Sequence, residues 1–267
     1  MSRTLSPPER RVAEIRQVRR LGAYDLVTAR DPVGPPDPQP GQFYMLAAGH
    51  RWGGGAGERP YLPRAFSHAG ARVHPGGGVE LDFLLEDVGP GTHRLGEMQP
   101  GEPLMLLGPL GSGFGPPAEG TRPLLVGGGI GTAPVLCLYA ELGGAADVIL
   151  GFRSASHAEA AELFGGAARV VTEDGSVGDP GLVTEPLAAS LDADPAATVF
   201  ACGPPGMLEA VRALCAARGT HCQLALEAGM ACGFGACFGC VVPTADGYQR
   251  VCVDGPVFAG ADLEVVA

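Results

Sequence analysis

Four cysteines near the carboxyl end place the strongest constraint on what this chain can fold into. Cys232, Cys237, Cys240 and Cys252 are spaced C-x4-C-x2-C-x11-C. The first two intervals are those of the plant-type [2Fe–2S] ligand run. Three of the ligands must then come from one tightly curled loop, and the glycines between them allow that curl and let backbone N–H groups point at the sulfur atoms. The spacing therefore predicts a [2Fe–2S] cluster.

The residues alone leave other uses of these cysteines open. A zinc site with four thiolates usually shows two C-x2-C pairs, and only Cys237 and Cys240 have that spacing. A disulfide is disfavoured, because the opening residues MSRTLSPPERR lack the apolar run of a secretory leader and the chain is therefore expected in the cytoplasm. Cys137 and Cys215 lie in apolar helical patterns and are expected to be packing residues.

Charge and composition exclude several classes of function. The 267 residues carry a formal charge of −11, and all 18 basic residues are Arg. Without Lys the chain cannot form a Schiff base or a Walker-A phosphate loop. The acidic balance argues against nucleic acid as a partner. The uncharged stretch 123–139 resembles a membrane span, but its glycines and Pro134 indicate strand, turn and helix, so no membrane partner is expected.

The first part of the chain has the pattern of β-structure. Short apolar or alternating runs recur between turn-rich segments, at 12–18, 24–28, 43–47, 79–85 and 103–107. This rhythm is typical of a small antiparallel barrel or sandwich.

From about residue 121 strands alternate with helices, which indicates a parallel sheet. We predict strands at 124–126, 147–151, 169–172 and 198–202, and helices at 135–142, 158–163 and 206–218. We therefore expect three domains: a β-barrel over 1–119, a Rossmann-like nucleotide-binding domain over 120–221, and a cluster-binding segment over 222–267.

Two glycine-containing turns follow predicted strands and point to nucleotide binding. In LLVGGGIGTAP, Gly129 and Gly131 let the backbone approach a pyrophosphate at a helix start. ACGPPGM places the Cys202 thiol at the same sheet edge, where it either faces a nicotinamide ring or belongs to a plain strand-end turn. At another strand end, Arg153 and its neighbouring serines could hold a 2′-phosphate, whereas an acidic residue would mark NAD.

An ordered set of short motifs gives this chain its resemblance to a family. The set comprises PGQF at 40–43, RAFS at 64–67, LLE at 84–86 followed by Gly91 and Thr92, GPLGSGF at 108–114, the two glycine turns, the cysteine run and CVDGPVF. Over nearly its whole length the chain resembles the ferredoxin-reductase-like flavoproteins, and among them the electron-transfer subunits of dihydroorotate dehydrogenase B. The resemblance implies an antiparallel FAD-binding barrel, a Rossmann-like NAD-binding parallel sheet and a small [2Fe–2S] appendage.

The resemblance also implies which residues bind FAD. Arg64 would pair with phosphate oxygens, Ser67 would hydrogen-bond the isoalloxazine edge, and Gly91 and Thr92 would donate to the pyrophosphate. The full expected FAD set is Arg64, Ala65, Phe66, Ser67, Leu84, Leu85, Glu86, Gly91 and Thr92. Two of these depart from the family pattern: Ala65 stands where proline is common, and Glu86 stands where a basic residue is common, which puts a contact from its side chain in doubt.

By the same resemblance, electrons would pass from a partner through the cluster and FAD to NAD+. The implied partner is an FMN-containing dihydroorotate dehydrogenase catalytic subunit, in a heterotetramer of two plus two subunits that serves pyrimidine (UMP) biosynthesis. No side chain of this chain is expected to act as a catalytic acid or base.

Three other functions stay open from the sequence. The first is a reductase subunit that feeds a ferredoxin, a hydrogenase or a transhydrogenase; the transhydrogenase relative has Asp as its first cluster ligand, so Cys232 disfavours that branch. The second is an oxygenase reductase with a fused ferredoxin, for which the 46 residues after His221 are too few. The third is a zinc-binding protein without redox activity.

Overall fold

The computed structural model describes residues 9–54 and 60–264. Its first part is a closed six-stranded antiparallel barrel with strand order β1-β2-β5-β4-β3-β6. The elements are β1 (Arg10–Leu21), β2 (Tyr24–Asp31), β3 (Phe43–Ala48), β4 (Arg64–Val73), β5 (Val79–Glu86), α1 (Pro90–Gly96) and β6 (Pro103–Leu110). The predicted barrel is confirmed.

Alternation of side chains builds this barrel, and an ion pair closes it. In β6 every second residue is buried, as a strand with one face on a core requires. Arg11 donates from Nε to Asp31 Oδ2 at 2.7 Å and from Nη2 to Gly108 O at 2.7 Å, which ties β1 to β2 and β6. The strand β4, which carries the RAFS motif, was not predicted, because its small and polar residues hide the two-residue period.

The second part is a seven-stranded sheet with order β10-β9-β8-β7-β11-β12-β15. Its elements are β7 (Arg122–Gly128), α2 (Thr132–Glu141), β8 (Asp147–Phe152), α3 (Ala155–Ala158), β9 (Ala168–Thr172), β10 (Asp179–Pro180), α4 (Thr184–Ala193), β11 (Ala197–Cys202), α5 (Pro205–Arg218), β12 (His221–Ala225) and β15 (Val257–Ala259). All neighbours are parallel except β12 and β15. The predicted parallel sheet is confirmed.

Two helical predictions in this part differ from the structure. The helix expected over 158–163 is the short α3 followed by a 3-10 helix, Glu159–Phe164. The helix α4 was not predicted at all. Both segments are rich in Ala and acidic residues, so their apolar period is weak and tertiary packing decides the outcome.

The cysteine-rich segment joins the sheet rather than standing apart. A hairpin of β13 (Val241–Thr244) and β14 (Gly247–Arg250) lies between the third and fourth cysteines of the run, and β15 then pairs with β12. The strand β12 crosses the predicted boundary between residues 221 and 222. The three-domain division stays a prediction.

Among the described residues, no helix is long and apolar enough to cross a membrane. The segment 1–8, which begins the stretch expected to lack a leader, lies outside the described residues.

Candidate functional site

A central cavity of about 190 Å³ lies between the barrel and the carboxyl edge of the parallel sheet. The barrel contributes four residues predicted to bind FAD, and the sheet contributes the predicted thiol: Ala65, Phe66, Ser67, Leu84 and Cys202. These residues are far apart in the sequence, so the fold brings together two motifs that the sequence could only place separately.

A barrel-edge cavity of about 460 Å³ adjoins it and is lined by Arg64, Ala65, Phe66, Glu86 and Thr92 among others. Arg64 packs over the turn of α1: a Cβ built on Gly91 would lie 2.6 Å from Arg64 Nε. The same guanidinium lies 5.8 Å from the Trp52 ring centroid. The predicted phosphate-binding arginine therefore lies directly beside the predicted pyrophosphate turn.

Thr92 uses its hydroxyl within its own turn. Its Oγ1 accepts from Gly89 N at 3.1 Å and from Val88 N at 2.9 Å, and it donates to Gly89 O at 3.0 Å. The expected donation from this hydroxyl to a pyrophosphate would therefore compete with these bonds. Leu85 is buried in the barrel core and lines neither the central cavity nor the barrel-edge cavity, since neighbouring strand residues point to opposite faces.

A loop cavity of about 640 Å³ opens along the glycine turn after β7 and the carboxyl ends of β8, β9 and β11. Ligands of open α/β sheets bind at this edge, where the strand order reverses, here between β7 and β11. Gly129 lines the cavity with φ 54°, a conformation that favours glycine. Gly131 does not line this cavity and packs against the end of β11: a Cβ built on Gly131 would lie 2.4 Å from the Cys202 carbonyl carbon.

Glu227 is a site residue that the sequence reasoning missed. It follows β12 and lines both the central cavity and the loop cavity. Its carboxylate reaches solvent but is surrounded by protein atoms, and this desolvation raises its pKa. Burial, with a contribution from the charge of Glu227, raises the pKa of the neighbouring Cys202 thiol. The position of Glu227 after a parallel strand was the sequence signal that could have identified it as a site residue.

The four cysteines of the run stand in two contacting pairs, Cys232 with Cys237 and Cys240 with Cys252. The Cys252 N–H donates to Cys240 Sγ at 3.4 Å. Within the parts of the chain that the structure describes, no three His, Cys, Asp or Glu side chains form a ready-made site for a single metal ion. Two thiol pairs fit the need of a [2Fe–2S] cluster for two thiolates on each iron.

Backbone N–H groups already point at the first sulfur. Burial alone raises the pKa of Cys232, but donation from the N–H groups of Phe234, Cys237 and Ala236 and from the Cys237 thiol brings it down to about 6. Gly233 and Gly235 have φ of 79° and 88°, which provides the curl predicted from their position. This concavity of donors suits an anionic sulfur centre.

The cysteine loop, residues 232–240, holds the first three cysteines of the run and lies against the barrel, next to the central cavity. A Cβ built on Gly233 would lie 2.5 Å from Met45 Cγ on β3. Cys240 and Cys252 are buried in the same cluster as Phe43 and Met45. The residues just before the loop, Ala228 and Met230, line the central cavity. The chain thus runs directly from this cavity into the cysteine loop.

Comparisons with known proteins agree with this geometry. Residues 227–264 match the family model described as the iron-sulfur cluster binding domain of dihydroorotate dehydrogenase B. A dihydroorotate dehydrogenase B (NAD(+)) electron transfer subunit from Caldanaerobacter subterraneus is 37% identical over 231 residues, which cover 83% of this chain and 85% of the relative. A subunit of the same name from Bacillus caldolyticus is 38% identical, over 84% of this chain and 86% of the relative.

Solved structures show the same fold. A chain of the NADH-dependent reduced ferredoxin-NADP oxidoreductase, studied for flavin-based electron bifurcation, superposes with a TM-score of 0.75 at 24% identity, covering 95% of this chain and 90% of that one. The ferredoxin reductase of carbazole 1,9a-dioxygenase gives a TM-score of 0.67 at 24% identity, covering 80% and 67%.

The named relatives and the fold together define an oxidoreductase with a ferredoxin-reductase-like fold, as the motifs predicted. The chain belongs to the family of dihydroorotate dehydrogenase B (NAD(+)) electron transfer subunits. The expected cofactor set of FAD, a [2Fe–2S] cluster and NAD is supported by this membership, by the match over 227–264 and by the reductase fold.

Proposed function

We propose that this chain relays electrons between an FMN-containing dihydroorotate dehydrogenase catalytic subunit and NAD+ in pyrimidine biosynthesis. The observation that supports this proposal is that the central cavity adjoins both the loop cavity and the cysteine loop. Glu227 lines the central cavity and the loop cavity, and Met230 lines the central cavity just before the cysteine loop begins. When bound, FAD supplies exchange between two-electron hydride transfer and the one-electron transfer that a [2Fe–2S] cluster supports.

The chain's own residues would hold and orient these groups. Arg64, fixed over Gly91, would pair with the flavin pyrophosphate by its planar fork. Phe66, Ser67 and Leu84 would enclose the isoalloxazine ring in the central cavity, with the Ser67 hydroxyl at its edge. This cavity is mostly apolar, so it would exclude water from the flavin ring.

The sheet edge would present the nicotinamide nucleotide to that ring. Gly129 lines the loop cavity and lets a pyrophosphate approach the backbone, and Gly131 packs the turn onto the end of β11. Cys202 and Glu227 border the central cavity from this side, where they would orient the nicotinamide ring against the flavin.

The cysteine loop would meet the partner. Cys232 and Cys237 would bind one iron, and Cys240 and Cys252 the other, following the observed pairs. Beside them Phe234 is 50% exposed and Phe238 is 63% exposed, so exposed apolar surface adjoins the cysteines, and contiguous exposed apolar surface marks sites of protein interaction. We assign this face to the catalytic subunit, in an assembly of two plus two chains.

Anaerobic titration of the purified chain with NADH tests the relay. We expect the flavin absorbance to bleach and the cluster absorbance to fall as NADH is added. Bleaching without cluster reduction, or no bleaching, would contradict the relay. Replacing Cys232, Cys237, Cys240 and Cys252 together by Ser should remove iron and sulfide, while the control Cys137→Ser, in buried helix packing, should keep both.

Co-expression with a candidate catalytic subunit tests the partner. We expect the two chains to co-purify and the complex to reduce NAD+ with dihydroorotate. A colourless protein that contains stoichiometric zinc and no flavin would instead support the non-redox alternative.

A further inference from the structure

The loop cavity carries more negative than positive charge. Its lining includes the carboxylates of Glu86, Glu173 and Glu227, against the single guanidinium of Arg153 and the imidazole of His157. A nicotinamide dinucleotide already brings a pyrophosphate into this cavity. A 2′-phosphate would add negative charge among these carboxylates, and a 2′-hydroxyl would not.

Among the described residues that line the loop cavity, Arg153 is the one guanidinium suited to a 2′-phosphate, and it is already paired with the barrel. Its Nη2 pairs with Glu86 Oε1 at the end of β5. The same Nη2 lies 2.8 Å from His157 Nε2, and that imidazole lies 3.4 Å from Glu86 Oε1. Glu86 therefore supplies the counter-charge to Arg153.

Glu173 supplies an acceptor at the neighbouring strand end. It directly follows β9 and lines the loop cavity. Its side chain makes no hydrogen bond or ion pair with the residues that the structure describes, whereas the adjacent Asp174 accepts from Ser176 N at 3.0 Å within its own turn. An unpaired carboxylate at such an edge can accept from a ribose 2′-hydroxyl and repels a 2′-phosphate.

A buried hydroxyl in the same wall lacks a hydrogen-bond partner within the described part of the chain. Tyr24 is fully buried and lines the loop cavity, and its hydroxyl makes no hydrogen bond with the described residues. A Cβ built on Gly129 would lie 3.8 Å from this hydroxyl, which places it beside the glycine turn. The cavity wall therefore offers an unused donor to a polar ligand.

We propose that Glu86 and Glu173 make this chain select NAD(H) over NADP(H), Glu173 by direct repulsion of a 2′-phosphate and Glu86 by occupying Arg153. This inference rests on the proposed function, since it assigns the specificity of the same nucleotide site. It makes specificity depend on a contact between the barrel and the sheet, 67 residues apart in the sequence.

Calorimetric titration of the oxidised, FAD-loaded full chain with NAD+ and with NADP+ tests this selectivity, because it measures the two binding affinities without any catalytic turnover. We expect the wild type to prefer NAD+. Glu86→Gln should release Arg153 and tighten NADP+ binding by about tenfold, with little change for NAD+. Adding Arg153→Ala to Glu86→Gln should remove that gain. Glu173→Gln should also tighten NADP+ binding, and it should do so with or without Arg153.

Two controls accompany these variants. Glu162→Gln removes a carboxylate that lies outside the cavity lining and should leave the ratio of the two affinities unchanged. The FAD content of each variant is measured from its absorbance, because Glu86 also borders the barrel-edge cavity.

The outcomes separate this inference from the function on which it rests. If NAD+ binds but neither glutamate variant changes the affinity ratio, the selectivity assignment is wrong and the relay stands. If the gain in Glu86→Gln persists without Arg153, the assigned role of Glu86 is wrong. If neither nucleotide binds to the FAD-loaded chain, the nicotinamide site itself is wrong and both proposals are lost.

Discussion

Replacing Gly233 by alanine should loosen the cysteine loop from the barrel. Two costs add at this position. The new Cβ would lie 2.5 Å from Met45 Cγ, 2.7 Å from Met45 Sδ and 3.3 Å from Leu110 Cδ1, so the side chains must move apart. The backbone φ of 79° is also in the left-handed region, where an alanine costs about 1–2 kcal/mol.

The steric part of the stability lost in Gly233→Ala lies in the lower half of the roughly 1–3 kcal/mol range for overpacking, because the Met45 side chain is long and flexible. We therefore expect Gly233→Ala to cost about 2–4 kcal/mol. Since small domains are stable by only about 5–15 kcal/mol, this loss should be visible both in unfolding and in cluster retention.

Denaturant unfolding and the iron and sulfide content of anaerobically purified protein measure this loss. Gly239→Ala is the comparison in the same loop, since its Cβ would meet only Cys237 Sγ, at an ordinary 3.5 Å. It should cost clearly less than Gly233→Ala. Combining Gly233→Ala with Met45→Ala should cost less than the sum of the two single changes, because it removes the clash but not the φ strain.

The reasoning is refuted if Gly233→Ala unfolds within about 0.5 kcal/mol of the wild type, which is the scatter for neutral surface changes. Strict additivity with Met45→Ala would equally show that the two residues do not press on each other in solution.

Two further predictions concern the barrel. Asp31→Asn should lower the free energy of unfolding by about 3–5 kcal/mol, because it removes the buried counter-charge of the Arg11 guanidinium and leaves only the exposed Glu9 carboxylate, 4.0 Å away. A urea titration checks this loss, and Glu14→Gln, which breaks an exposed ion pair, should cost less than about 1 kcal/mol. Burial lowers the pKa of His68 to about 4 from an ordinary 6.5, so the unfolded chain binds the extra proton between these values. The stability that neutral His68 contributes to the fold is complete above about pH 6.5. It decreases by about 3 kcal/mol as the pH falls towards 4. His68→Phe should flatten the pH dependence of unfolding in that window, and an unchanged slope would contradict the assignment.

The motifs that the sequence revealed are those whose chemistry is local. The cysteine spacing and its glycines predict a curled loop, and the structure has that loop with the thiols in two pairs. The glycine turn between β7 and α2 likewise depends on neighbouring residues. Short apolar or alternating runs were enough to predict the barrel, and strands alternating with helices were enough to predict the parallel sheet, because strand period and element order are local properties.

What the sequence could not provide are contacts between distant residues. The pairing of Glu86 with Arg153 spans 67 positions, and nothing near either residue predicts it. The sequence pattern also offered Arg153 as a phosphate ligand, and only the barrel's approach to the sheet gave it a counter-charge. Glu227 lines two cavities solely because β12 ends where both open.

By itself, the sequence determined the family, the cofactor-binding motifs and the kinds of element, since backbone curl, strand period and ligand spacing are encoded in residues that lie next to one another. Tertiary structure alone decided which of these motifs share a cavity, which charges are neutralised and which glycines have no room for a side chain. Those outcomes depend on strand order and on how the barrel packs against the sheet, which bring together groups that the chain holds far apart.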